Sequence, residues 1–185
     1  MLTMVNIHKL KLTGLQQEIL RLLFIKSGSS LNARGIARQL EVTQPAVSKA
    51  LPLLKQLKLI NMAKDKESRR LSIELNRDNH RVIWLKRADN LKQIYESDLI
   101  QFLYDNFPNA TIILFGSYAF GEDTTSSDID IAIIGAKQKK IKLSDFDKAF
   151  ERTIFLHYYK SFKDINKNLL NNICSGIILK GVVEL

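Results

Sequence analysis

Apolar residues fall at helical spacing through the first sixty positions and at strand spacing beyond position 110. Leu15, Ile19, Leu22 and Leu23 recur three and four apart, which predicts one face of a first helix. Thr13 followed three residues later by Gln16 is a capping-box signature for its start, and Ser27-Gly28-Ser29-Ser30 breaks it. A second helix is predicted over roughly 32–40, with Ile36, Ala37 and Leu40 inward. After the Glu41-Val42 turn, Thr43 caps a third helix that tolerates Pro45 in its first turn. Val47, Leu51, Leu54 and Leu57 form that helix's apolar stripe, leaving Gln44, Pro45, Ser48 and Lys49 on the other side. Two strand-like runs follow, 59–64 and 70–75, joined by the charged stretch 65–69.

A polar boundary at 76–79 separates this part from a helical segment predicted over 80–107. Ser97 and Asp98 suggest a second start within it, and Pro108 ends it, because the residue before a proline disfavours helix. Trp84 in this segment is expected in the core or in an interface, with base stacking the alternative. Further on, strands are predicted at 111–115, 129–134 and 154–159, helices at about 144–152 and 164–174, and a short apolar end at 177–179.

Charge divides the chain the same way. Residues 1–95 hold 18 Lys/Arg against 7 Asp/Glu, whereas residues 96–185 hold 10 against 12, so a cationic half (+11) precedes a nearly neutral one (−2). The basicity belongs to a domain and points to a polyanionic partner. The single Cys174 forms no internal disulfide, and three scattered histidines give no zinc pattern. No apolar stretch approaches the ~18 residues of a membrane helix, and the first residues lack signal-peptide architecture. A soluble cytoplasmic protein with no membrane partner is the expectation.

The chemistry concentrates between Phe115 and Ile131. There an apolar run ends at Gly116-Ser117, Gly121 and a Thr/Ser loop follow, and a strand-like run carries Asp128 and Asp130 one residue apart. Side chains on a strand alternate faces, so both carboxylates are expected to point the same way. Like charges so placed repel unless a cation lies between them, and a hard dication such as Mg²⁺ or Mn²⁺ suits an all-oxygen site. A Gly-Ser turn that opens a helix presents backbone N–H groups to phosphate. Carboxylates for metal beside a phosphate cradle are the equipment of phosphoryl transfer. The alternative is a Gly-Ser hairpin with two surface aspartates.

Gly116-Ser117-x-Ala119-x-Gly121, five residues, then Ser127-Asp128-Ile129-Asp130 resembles the signature of the minimal nucleotidyltransferases of the polymerase-beta superfamily. The resemblance implies a small mixed sheet, a Mg-NTP ligand, Asp128 and Asp130 as catalytic metal ligands, and Gly116, Ser117, Gly121 and Ser127 on the nucleotide. It also implies a third carboxylate on a later strand. By pattern that place falls on Phe155, and no Asp or Glu occurs in that run. Tyr118 and Phe120 stand where such proteins often carry Arg. His157 shares strand parity with Phe155, so it is a candidate general base or a packing residue. The run 137–142, rich in lysine, is read as a contact for triphosphate or an RNA acceptor, or as a solvated loop.

The stretch Val42-Thr43-Gln44-Pro45-Ala46-Val47-Ser48-Lys49, followed by Leu57-x-Leu59-Ile60, resembles the recognition-helix region of winged-helix transcription regulators. That implies duplex DNA read by Gln44, Pro45, Ser48 and Lys49 in a major groove, with Lys55, Lys64, Lys66, Arg69 and Arg70 on the helix or wing. A winged helix used only for protein contact is the alternative. The chain is therefore expected to be of mixed α/β (α+β) class, with a winged helix-turn-helix at 1–79, a helical connector at 80–107 and a nucleotidyltransferase-like domain at 108–185. Its expected function is DNA binding coupled to nucleotide binding, with transfer of a nucleotidyl group to an unknown acceptor. A non-enzymatic regulator that senses nucleotide or binds a partner protein competes with this, and a homodimer is expected in either case.

Overall fold

A computed structural model describes residues 10–64 and 71–184. The chain divides into two compact units, Met1–Asn76 and Arg77–Leu185. Lys66, Arg69 and Arg70 lie outside the described residues.

Among the described residues, the first unit is three helices and an antiparallel pair of strands. Helix α1 (Gly14–Ile25) opens on the predicted capping box, in which Thr13 and Gln16 each bond the other's backbone N–H. Helix α2 (Ala33–Gln39) is capped by Asn32 and helix α3 (Gln44–Gln56) by Thr43, whose oxygens accept from Gly35 and Ala46 respectively. Pro52 lies inside α3 and is exposed, so its ring points away from the core. Strands β1 (Ile60–Lys64) and β2 (Leu71–Leu75) pair antiparallel, and Leu31 bridges to Ile73 as a third short rung. Leu15, Leu40 and Leu57, expected inward, are half-buried, while Ile19, Leu23, Ile36, Val47, Leu54, Leu59 and Ile73 are fully buried. Gln16 joins them and donates to the Ala50 carbonyl at 3.2 Å.

The second unit is a four-stranded mixed sheet covered on both faces. The predicted helical segment is two helices, α4 (His80–Glu96) and α5 (Leu99–Asn106), broken at Ser97 as expected. Strand β3 (Thr111–Phe115) leads into the short helix α6 (Gly116–Phe120), then β4 (Ile129–Ile134), α7 (Ser144–Phe150) and β5 (Ile154–Tyr159). In place of one helix from 164, a 3₁₀ turn (Phe162–Asp164) precedes α8 (Lys167–Cys174), and the apolar end is a true strand, β6 (Ile177–Lys180). The strand order is β5-β4-β3-β6; β4 runs antiparallel to β3 and parallel to β5.

Strand alternation builds two cores. Ile112, Leu114, Ile129, Ile131 and Ile133 face a cluster that includes Ile94, Leu99, Leu103 and Phe107 from α4 and α5. Ile113, Phe115, Ala132 and Ile134 face the other, with Phe162, Ile165 and Ile173. Trp84 is in neither: it is 67% exposed on α4.

Candidate functional site

The site forms where β3 ends and β4 begins. Gly116 has φ +73, a conformation that favours glycine, and a Cβ there would lie 2.7 Å from Asp130 Oδ2. The glycine is therefore required twice: by the backbone of the turn, and by the carboxylate that fills the space a side chain would need. Phe115 and Asp130 are register partners across β3 and β4, so the Gly-Ser turn is fixed directly above the Asp130 carboxylate.

Asp128 differs slightly from expectation. Strand β4 begins at Ile129, so Asp128 stands at its threshold and is exposed, while Asp130 is inside the strand and half-buried. Ser127 holds the preceding loop: its Oγ accepts from Thr124 N at 3.0 Å. Gly121, φ +77, ends α6, and a Cβ there would meet Ile83 O at 2.5 Å and Arg87 N at 2.7 Å. The loop that leads to Asp128 is thus pressed against the backbone of α4.

Phe155 is the register partner of Asp130 across the parallel β4–β5 pair, and its ring is 48% exposed. The place where a third carboxylate is expected is therefore beside Asp130 and filled by an aromatic ring that packing does not demand. His157, two residues on, puts Nε2 2.8 Å from Asp130 Oδ1, while its ring meets Phe115 edge-on at 5.2 Å. An ionised carboxylate only accepts, so the proton of this bond sits on Nε2. On the same face, the Tyr159 hydroxyl is pushed above its usual range, first by burial and then by the Asp130 charge. Asp147, on α7, does not substitute for the missing acid, because its Oδ1 accepts from Ile154 N at 2.9 Å and starts β5.

Two carboxylates at one turn fit a hard dication that completes its shell with phosphate oxygens and water. No group of three His, Cys, Asp or Glu side chains gathers as a metal cage among the described residues. The lysine run does not approach this site. It follows Gly135, roughly 16 Å from Asp130 along the strand at ~3.3 Å per residue. Lys137 and Lys139 line a cleft there, adjoining a larger one of about 760 Å³ that Lys160, Lys163 and Lys180 border. That larger cavity is at the wrong end of the sheet for chemistry at Asp130.

One group escaped sequence reasoning. Val82, Lys86, Asn90 and Ile94 form a single buried stripe of α4 at intervals of four. Lys86 Nζ pairs with Asp123 Oδ1, to which Asn90 Nδ2 also donates at 2.7 Å, and Arg152 approaches Asp123 Oδ2 at 3.5 Å. Burial lowers the Lys86 pKa below the usual lysine range, opposed by Asp123 and reinforced by Arg152. The signal was present in the sequence, as two polar residues at inward positions of a helical repeat.

In the first unit, Gln44, Pro45, Ser48, Lys49, Lys55 and Lys64 are all exposed, whereas Val47, Ala50, Leu51 and Leu54 are buried. The helix is split as predicted. Arg34 and Arg38 of α2, not singled out from the sequence, are also exposed and border clefts with Gln44. No helix among the described residues is long and apolar enough to cross a membrane.

A three-helix unit ending in an antiparallel pair of strands, joined to a small mixed sheet with a Gly-Ser turn over Asp130, defines a winged-helix protein with a nucleotidyltransferase-type domain. The family model described as "Polymerase beta, Nucleotidyltransferase" matches residues 97–183. The protein adenylyltransferase MntA of Shewanella oneidensis is 45% identical over 47 residues, which are 25% of this chain and 34% of that protein. The chain thus spans about a third of that relative's length. Among solved structures, Lactococcus lactis ZitR is similar at 24% identity and TM-score 0.41, over 54% of this chain and 65% of that one. The S. aureus MepR–DNA complex is similar at 24% identity and TM-score 0.37, over 51% and 81%. The winged-helix description rests on the unit's own element order and register.

Proposed function

We propose that the C-terminal domain binds a nucleoside triphosphate with Mg²⁺ or Mn²⁺, with Asp128 and Asp130 toward the metal and Gly116, Ser117, Gly121 and Ser127 framing the nucleotide. The observation that supports this is the seating of the Gly116 turn on the Asp130 carboxylate, at which the turn's backbone N–H groups would take phosphate and the carboxylate would take metal. The dication, when bound, neutralises phosphate charge and helps align the α-phosphate with an acceptor. The acceptor's hydroxyl oxygen attacks the α-phosphorus, the bond to the bridging oxygen breaks, and pyrophosphate leaves. The hydroxyl proton would pass to His157 Nδ1, the ring nitrogen that the bond to Asp130 leaves able to accept. A protein hydroxyl with ATP as donor is the first acceptor class to test, given the likeness to a protein adenylyltransferase over 47 residues.

The N-terminal unit is proposed to bind duplex DNA as a homodimer through Gln44, Pro45, Ser48 and Lys49, with Lys55 and Lys64 and, outside the described residues, Lys66, Arg69 and Arg70 on phosphates. A second reading, a regulator that senses nucleotide without transferring it, is favoured by one observation: Phe155 where a third carboxylate is expected. Titration calorimetry with Mg²⁺ and each ribonucleoside triphosphate tests the common part. Binding by the wild type and its loss in the folded Asp128→Asn/Asp130→Asn variant is expected; equal affinity in the two refutes it. Labelled triphosphate with protein and RNA acceptors then separates transferase from sensor.

A further inference from the structure

We infer that Asp123, held by Lys86 and Asn90, is the positioning residue of the nucleotide site, an inference that rests on the reading of that site given above. Asp123 is not among the residues that touch metal or phosphate in that reading. It is nonetheless 1% exposed, although it lies in the middle of a polar loop whose neighbours Glu122, Thr125 and Ser126 are open to solvent. A carboxylate drawn out of water in this way is retained only if partners offset its desolvation.

Its partners come from every segment that frames the site. Lys86 and Asn90 belong to α4, against whose backbone Gly121 is pressed. Asn90 Nδ2 also donates to Tyr118 O at 2.9 Å, which ties in α6, the helix that begins with Gly116 and Ser117. Lys86 completes the group with a 3.4 Å bond to Asn90 Oδ1. Arg152 lies just before β5, where Thr153 O accepts from Ile129 N at 2.9 Å beside Asp128. One carboxylate thus fixes the Gly-Ser turn, the approach to Asp128 and the start of the strand that carries Phe155 and His157.

This arrangement is more than generic core stability. Ile94, one turn beyond Asn90 on α4, packs in the apolar core against the sheet, apart from the polar tetrad of Lys86, Asn90, Asp123 and Arg152. What the apolar residues do not do is bond the 121–128 loop, whose described side chains other than Asp123 face solvent or one another. Removing the Asp123 link leaves Gly121 and its backbone bonds to hold one end of the loop, while the segment from Asp123 to Asp128 loses its buried side-chain anchor.

The test uses the full chain and two readouts. Lys86→Met, Asp123→Asn and the milder Asn90→Ala are compared with Ile94→Ala, a cavity variant one turn further along the same stripe whose side chain has no polar group to bond Asp123. Hydrogen–deuterium exchange is followed for residues 117–130, and affinity for Mg²⁺ with ATP is measured well below the melting temperature. The expected result is exchange at least tenfold faster across 117–130, and nucleotide affinity at least tenfold weaker, in the tetrad variants and not in Ile94→Ala. If the tetrad variants only melt earlier, with exchange and affinity moving no further than in Ile94→Ala, the inference is overturned. Should Lys86→Met or Asp123→Asn fail to fold, Asn90→Ala alone decides between these outcomes. If the wild type binds no nucleotide, the functional reading fails, and the exchange measurement still supports or overturns the anchoring of the loop.

Discussion

Asp130 is the residue on which the site turns, because three neighbours depend on its carboxylate: Gly116 above it, Phe155 beside it and His157 bonded to it. Gly116→Ala would force a Cβ to within 2.7 Å of Oδ2 in a left-handed backbone, so either the turn or the carboxylate must move. We expect nucleotide affinity to fall about tenfold or more, some 1.4 kcal/mol, with a smaller loss of melting temperature. Calorimetry beside a thermal melt checks the two. Phe155→Asp should do the opposite at little packing cost, since the ring is already half in solvent. A third carboxylate opposite Asp130 should tighten Mn²⁺ binding, read by titration calorimetry or by the metal's relaxation of water protons. Unchanged Mn²⁺ affinity would show that the metal site does not reach β5.

At the scale of elements, two devices locate the functional segments. Gly121 lets the loop meet the α4 backbone, and both atoms a Cβ would strike are backbone, which cannot rotate away. Gly121→Ala is expected to destabilise the second unit by more than the ~1 kcal/mol that the same replacement gains where the backbone is compatible. Chemical denaturation monitored by circular dichroism measures it. The Lys86–Asp123 pair is the other device, and it has a pH signature. Because the folded protein lowers the Lys86 pKa below the unfolded value of 10.5, the unfolded chain holds more protons between those two values. The group's contribution to stability is therefore complete above 10.5 and falls away as pH descends through the lowered folded pKa. The stability of the wild type relative to Lys86→Met should rise with pH across that window. A difference that stays flat from pH 7 to 10.5 would mean that Lys86 is not desolvated.

For the whole molecule, charge asymmetry is the informative property. A half carrying +11 is expected to bind duplex DNA with an affinity that falls steeply as salt rises, because each neutralised phosphate releases counterions. In the full chain, Lys49→Ala should weaken specific binding by about 1–3 kcal/mol if that side chain reads a base edge. Arg38→Ala, on the neighbouring helix, should lower binding to all sequences alike and flatten the salt slope by about one unit if it contacts phosphate. Gel-shift titrations at several salt concentrations distinguish the two. No binding at low salt, where attraction is strongest, would make this unit a protein-interaction module.

The sequence by itself determined most of the elements and singled out the residues of the candidate site. Capping at Thr13 and Thr43, the stripe from Val47 to Leu54, and the alternation around Asp130 are local signals, each written within one or two turns of chain. The motif between Gly116 and Asp130 was legible for the same reason, as its geometry is that of consecutive residues. What only the tertiary structure decided was which distant residues share a space. Strand order put Phe155 and His157 beside Asp130, and the same order sent the lysine run to the far end of the sheet. It also put Trp84 in solvent and Lys86 in the core, on one helix two residues apart. Periodicity gives a helix its faces. Which neighbour covers each face, and whether a buried ammonium meets a carboxylate from 37 residues away, follows from packing and desolvation across the whole domain.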